Sequence, residues 1–135
     1  MAVQLSVAVR NAMLDAIETT IGATAVLRIR TGAQPATCAT ADSGTVVATI
    51  TLPADYFSAA SGGTKSLLGT WTDASADAAG TAGHFRIYDS TGVTCGYQGT
   101  VTATGGGGDM TVDNVVFAAG QSFTVTTFTI TAGNA

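Results

Sequence analysis

The chain has 135 residues, of which 24 are Ala, 24 Thr and 17 Gly, so three small residue types fill 65 positions. Charged side chains make up 10%, against roughly 25% in ordinary globular domains, while the hydrophobic fraction of 46% is ordinary, which argues against charge-driven disorder. Five basic and nine acidic groups give a net charge of -4, which excludes the cationic surface that nucleic-acid binding requires.

The length fits a single domain over residues 1–135, with a helical segment at 1–22 and a β domain at 23–135. No cation precedes Arg10 and no apolar block there suits a signal peptide, so the product is expected to stay where it is made. No run approaches the roughly 18 to 20 apolar residues of a membrane span. Leu5, Val9, Met13, Ile17 and Ile21 recur every four positions beside Ala12 and Ala16, predicting a helix over 5–21 that Gly22 ends. Arg10, Asn11, Asp15 and Glu18 form its polar side. The apolar stripe is expected to cover a sheet of its own domain or to dock on a neighbouring subunit.

Beyond Gly22 the period changes from four to two and Thr, Val and Ile accumulate. Residues 25–31 set Ala25, Leu27 and Ile29 against Val26, Arg28 and Arg30. Residues 45–52 turn Val46, Ala48, Ile50 and Leu52 inward, and Pro53 closes the run. Phe85 and Ile87 oppose His84, Arg86 and Tyr88, and Asp89–Gly92 supplies a turn before residues 93–102, predicting a hairpin. Two further strands are expected at Met110–Phe117 and Ser122–Thr131, joined by Ala118–Gln121. The apolar phase shifts between Phe123/Val125 and Phe128/Ile130, predicting a bulge. About six strands with no helix between them predict an all-β, antiparallel β-sandwich with one N-terminal helix. It becomes jelly-roll-like if residues 54–82, which read as long loops, add short strands. The threonines Thr124, Thr126, Thr129 and Thr131 give polar but uncharged faces, which lose little solvation when covered by protein.

No catalytic or cofactor motif emerges, and the expectation is a binding protein without metal or cofactor. Gly105–Gly108 precede Asp109 and Met110 where a phosphate loop needs Lys and Ser or Thr, so a flexible hairpin tip is expected there. His84 is the sole histidine and the only side chain suited to general-base work; it reads as a sheet-surface residue beside Arg86. Asp73, Asp77, Asp89 and Asp109 lack the spacing of a calcium loop. Cys38 and Cys95 lack metal-ligand spacing and read as small buried thiols, with a disulfide as the alternative outside a reducing cytosol. Trp71 with Tyr56, Tyr88 and Tyr97 would form a sugar-stacking platform if they shared an exposed face, but Trp71 and Phe57 are read as core or interface anchors. Arg28 and Arg30 point the same way and are candidates to meet acidic groups on another chain.

Several stretches together suggest a family: Asn11–Glu18, Val26–Gly32, Gly80–Tyr88, Gly105–Thr111 and Phe128–Ala135. Over most of its length the chain resembles the small Ala/Gly/Thr-rich virion structural proteins of tailed bacteriophages, of the head cement or decoration type. The resemblance implies a protein on the head surface, assembled in the host bacterial cytoplasm, that bridges major capsid subunits and associates with itself, commonly as a trimer. It also admits a minor tail or tail-tip protein, and a β-sandwich module binding the host surface or a carbohydrate is a further alternative. Partner contacts are expected from Arg28, Arg30, Phe57, Trp71 and Gly105, Gly106, Gly107 and Gly108, with no role for nucleic acid or membrane.

Overall fold

Ser6 starts helix α1 (Val7–Ile21), its hydroxyl accepting from the Val9 N–H at 3.3 Å, in a computed structural model that describes residues 3–135. Gly22 ends the helix at φ +88°, its N–H donating to the Glu18 carbonyl. Nine strands follow among the described residues: β1 (Val26–Thr31), β2 (Val46–Thr51), β3 (Thr64–Ser66), β4 (Thr72–Asp73), β5 (Gly80–Tyr88), β6 (Cys95–Ala103), β7 (Met110–Val112), β8 (Val116–Phe117) and β9 (Phe123–Thr131).

The strands form one curled, open sheet in the order β2-β1-β5-β6-β7-β9-β3, with β4 on β9 and β8 on β5. The protein is therefore mostly β with one helix, as the change of period predicts, but two antiparallel sheets packed face to face are not what the strands build. The pairing that departs from expectation is β6 with β7, which is parallel. Residues 54–82 do add short strands, β3 and β4, and both are drawn onto the long strand β9. The expected strand Met110–Phe117 divides into β7, beside β6 and β9, and β8, beside β5.

The parallel step explains the glycine run. Rather than forming a hairpin tip, Gly105–Gly108 fold the chain back along β6 before it re-enters the sheet. Gly105 and Gly107 take φ +85° and +81°, and the Gly108 N–H donates to the Thr102 hydroxyl at 3.0 Å. A Cβ on Gly108 would lie 2.9 Å from the Thr102 backbone nitrogen, so side chains are excluded by the close approach. Gly108→Ala is accordingly expected to cost about 2 kcal/mol, measured by urea denaturation, because the crowded atom belongs to the backbone and yields little.

The hairpin between β5 and β6 is present, turned at Asp89–Gly92. The bulge read in the last strand is present as well, since Thr111 pairs with Thr127 but Val112 pairs with Val125. A second bulge between Ile29 and Arg30 puts Val47, instead of Val46, into the core. On the concave side Leu27, Ile29, Val47, Ile50 and Ile87 pack beside an aromatic cluster in which Phe57, Trp71, Phe85, Tyr97 and Phe128 lie with ring centroids 5.2 to 6.3 Å apart in successive contacts. A chain with 7% aromatic residues spends them here, as its supply of Ala and Gly leaves few other large groups to fill a core.

Candidate docking surface

The convex side of β1 and β5 carries Arg28, Arg30, His84, Arg86 and Tyr88, and residues 32–45 cross over it as a strap. Asp42 on the strap accepts from Arg30 Nη2 at 2.7 Å, Arg86 Nη1 at 2.6 Å and the Tyr88 hydroxyl at 2.7 Å. Arg86, 2% exposed, also donates to the carbonyls of Thr37 and Thr40 and to Gln98 Oε1, and Gln98 Nε2 donates to the Pro35 carbonyl. An irregular strap has no ladder to satisfy its backbone, so the guanidinium fork supplies donors to its carbonyls. Gly44, at φ +69°, lets the returning chain pass against the Thr31 carbonyl, where a Cβ would collide. Burial pushes the Asp42 carboxyl up, but the hydrogen bonds from Tyr88 and Arg86 and the charges of Arg30 and Arg86 hold it below its ordinary value. His84 is fully buried beneath the strap instead of lying on the sheet surface. Its Nδ1 meets the Gly32 carbonyl at 2.9 Å, and burial, with Arg30 and Arg86 nearby, pushes its pKa down.

A disulfide between Cys38 and Cys95 ties the middle of the strap to the start of β6, with Cα atoms 5.4 Å apart. The two cysteines are thus paired rather than separate thiols. Their separation of 57 residues concealed this, because only the strap's path over the sheet brings them together.

Helix α1 is mounted by its polar side. Arg10 Nη2 donates to the Gly62 carbonyl, Asn11 Oδ1 accepts from the Gly63 N–H, Asp15 Oδ1 from Ala60 N–H, and Glu18 Oε1 from the N–H groups of Tyr56 and Phe57. Lys65, 3% exposed, reaches Asp15 at 2.7 Å and Glu18 at 3.4 Å. The Lys65 hydrogen bond, with that from the Ala60 N–H, holds the Asp15 carboxyl below its usual range. The polar side is thus the mounting, for the same reason as the strap: residues 56–63 have orphan backbone groups, and acidic and amide side chains spaced along one helix face satisfy them. Leu14 is the apolar residue buried with them.

Mounting the polar side leaves much of the apolar stripe uncovered. Val9 is 47% and Met13 52% exposed. From Met13 the row runs into a groove of about 510 Å³ between α1 and the β5–β6 turn, lined by Ala16, Ile17, Ile21, Cys95 and Tyr97 among others. Asp89 is the charged residue in its lining. This is the surface of the molecule best suited to being covered, being apolar, almost uncharged and held on a rigid helix.

The residues singled out from sequence are distributed differently. Trp71 and Phe57 are 0% and 1% exposed and belong to the core, the first of the two readings given to them. Tyr56 and Tyr88 are buried as well, so the aromatic platform expected of a sugar site does not form. Arg30 is engaged by Asp42, while Arg28 donates to the Gly92 carbonyl at 2.9 Å and lies 5.0 Å over the Tyr88 ring. Arg30 is buried and half-buried Arg28 has an intrachain contact, so any partner would meet Arg28 rather than Arg30. Gly105–Gly107 are exposed. Among the described residues no three His, Cys, Asp or Glu side chains gather in a metal-holding group, and no helix is long and apolar enough to cross a membrane. The stripe was legible in the sequence, and of its two expected destinations the chain's own domain takes Ile17 and Ile21, which pack against the core.

No protein-family model, curated protein or solved structure matches the chain.

Proposed function

We propose that the chain is a structural protein of a phage particle, a head cement protein that docks on major capsid subunits and on copies of itself and works by binding alone. The observation that carries this reading is the uncovered apolar row Val9–Met13 and its groove, in a molecule whose arginines, buried histidine and aromatic residues are consumed internally. Many copies arrayed side by side add modest contacts through repetition. The threonine-rich strand β9, uncharged along its outer side, suits the same close packing. The resemblance to small phage virion proteins supplies the setting, and the trimer it implies is the self-association we expect.

The reading is tested by a cryo-EM map of the particle with copy number from gel densitometry. Copies arrayed over the shell in the hundreds are expected; a few copies at the tail vertex would replace cement by a minor tail protein. The docking row has its own test. Met13→Asp combined with Val9→Asp is expected to change stability by less than about 0.5 kcal/mol, since both side chains are exposed, yet to reduce occupancy on purified heads at least tenfold. Unchanged occupancy would remove the helix from the interface.

A further inference from the structure

Strands β6 and β9 are nine residues long, but the strand between them, β7, has three. β7 meets β6 over Val101–Ala103 and β9 over Val125–Phe128. Where β7 has not yet begun, the first half of β6 and the last residues of β9 face each other across a cleft of about 320 Å³, with no strand between them among the described residues. The floor is apolar, formed by Phe85, Tyr97 and Phe128 with Ile17 of α1 beside them, and the Tyr97 and Phe128 rings are stacked at 5.9 Å.

Both rims carry backbone groups aimed inward. On β6 the Thr100 N–H points to the β7 side, where Asp109 Oδ2 accepts it at 2.8 Å; two residues earlier the alternation of a strand turns the Gln98 N–H and carbonyl the same way. On β9 the Phe128 carbonyl accepts from Leu67 and the Ala132 N–H donates to Gly63, both on the β3 side, so the Thr131 N–H between them points into the cleft. The Asp109 carboxylate already stands at the upper end in the place of a strand carbonyl.

We propose that this cleft receives an extended segment of a partner polypeptide, inserted in line with β7, parallel to β6 and antiparallel to β9. A backbone in β conformation is the ligand whose donors and acceptors repeat at the spacing of both rims at once; a helix or a small solute matches neither row. The aromatic floor calls for small or β-branched apolar side chains on the inserted strand's inner face, and Asp109 disfavours an acidic residue at the upper end. The cleft shares Ile17 and Tyr97 with the groove beside α1, but its recognition rests on the backbone groups of Gln98 and Thr131, which the helix row does not use, and it does not depend on the partner being a capsid subunit.

The test is amide hydrogen exchange by NMR on the full-length chain, with the capped hexapeptide Thr-Val-Thr-Val-Thr-Val as probe and its backbone N-methylated analogue as control. In the free protein the Gln98 and Thr131 amides are expected to exchange as unbonded groups, and to slow at least tenfold with the peptide but not with the analogue. Thr131→Pro removes a donor to the cleft without touching the β3 ladder and is expected to weaken binding at least tenfold with an unchanged far-UV spectrum. If that variant does not fold, the comparison of peptide and analogue decides. Protection of Gln98 and Thr131 in the free chain, shifts confined to the α1 row, or no response at millimolar peptide would each overturn the proposal.

Discussion

Replacing Asp42 by alanine is expected to lower stability by about 3 kcal/mol, a fall in Tm of about 10 °C for a chain of this size. Three donors converge on its carboxylate, and one of them, Arg86, is 2% exposed. Without Asp42 the buried guanidinium keeps its bonds to the Thr37 and Thr40 carbonyls but has no countercharge, which is the costly way to break a buried pair. The Asp42 side chain is itself 36% exposed, so water recovers part of the loss and the cost falls at the low end of the range for such pairs. Asp42→Asn, which retains an acceptor, is expected to lose less. Thermal unfolding followed by circular dichroism measures both, and a loss under 1 kcal/mol for Asp42→Ala would show that the strap is not held by this carboxylate.

The same cluster sets an acid profile in two stages. His84 has its pKa depressed below its ordinary 6.5, so the unfolded chain binds its proton first as pH falls. Stability is complete above about pH 6.5 and declines from there until the folded-state pKa is passed. Asp42 is likewise depressed below 3.8, so its contribution is present above about pH 4 and lost below it. His84→Gln is expected to flatten the first stage and leave the second, which a series of urea titrations between pH 3 and 8 would resolve.

Those groups also mark where local sequence pattern is informative and where it is not. The two-residue alternation in residues 25–31 and 84–88 separated apolar from basic faces correctly, because each strand's inner face is decided by its own side chains. The fate of the outer face was decided elsewhere: Asp42 and Pro35 come from a segment with no periodicity, and their contacts with Arg86 and Gln98 depend on how that segment crosses the sheet. The helix shows the same division. Its apolar stripe was visible, and Ile17 and Ile21 of it pack against the core, yet the hydrogen bonds that mount the helix come from the polar side, because the loop it meets presents bare backbone N–H groups. The parallel placement of β7 was equally hidden, since four glycines before a short apolar run describe a reversal without stating on which side of β6 the chain returns.

Removing the disulfide, by reduction or by Cys38→Ser with Cys95→Ser, is expected to cost about 4 kcal/mol, the chain-entropy value for a closed segment whose ends are 57 residues apart. The more informative quantity is its coupling to Asp42. Disulfide and carboxylate hold the same strap, one through Cys38 and the other four residues further on, over the same buried Arg86. If the strap lifts as a unit, the second fastening contributes less once the first is gone, and the combined variant loses at least 1 kcal/mol less than the two separate losses together. Additivity within about 0.5 kcal/mol would instead mean that the two ends of the strap open independently. Cys95 also lines the groove beside α1, so a strap that lifts on reduction alters the wall of the proposed docking face. On the head-protein reading proposed above, reduced particles should then lose this protein at lower denaturant than oxidised ones, with the Asp42→Ala variant lost earliest.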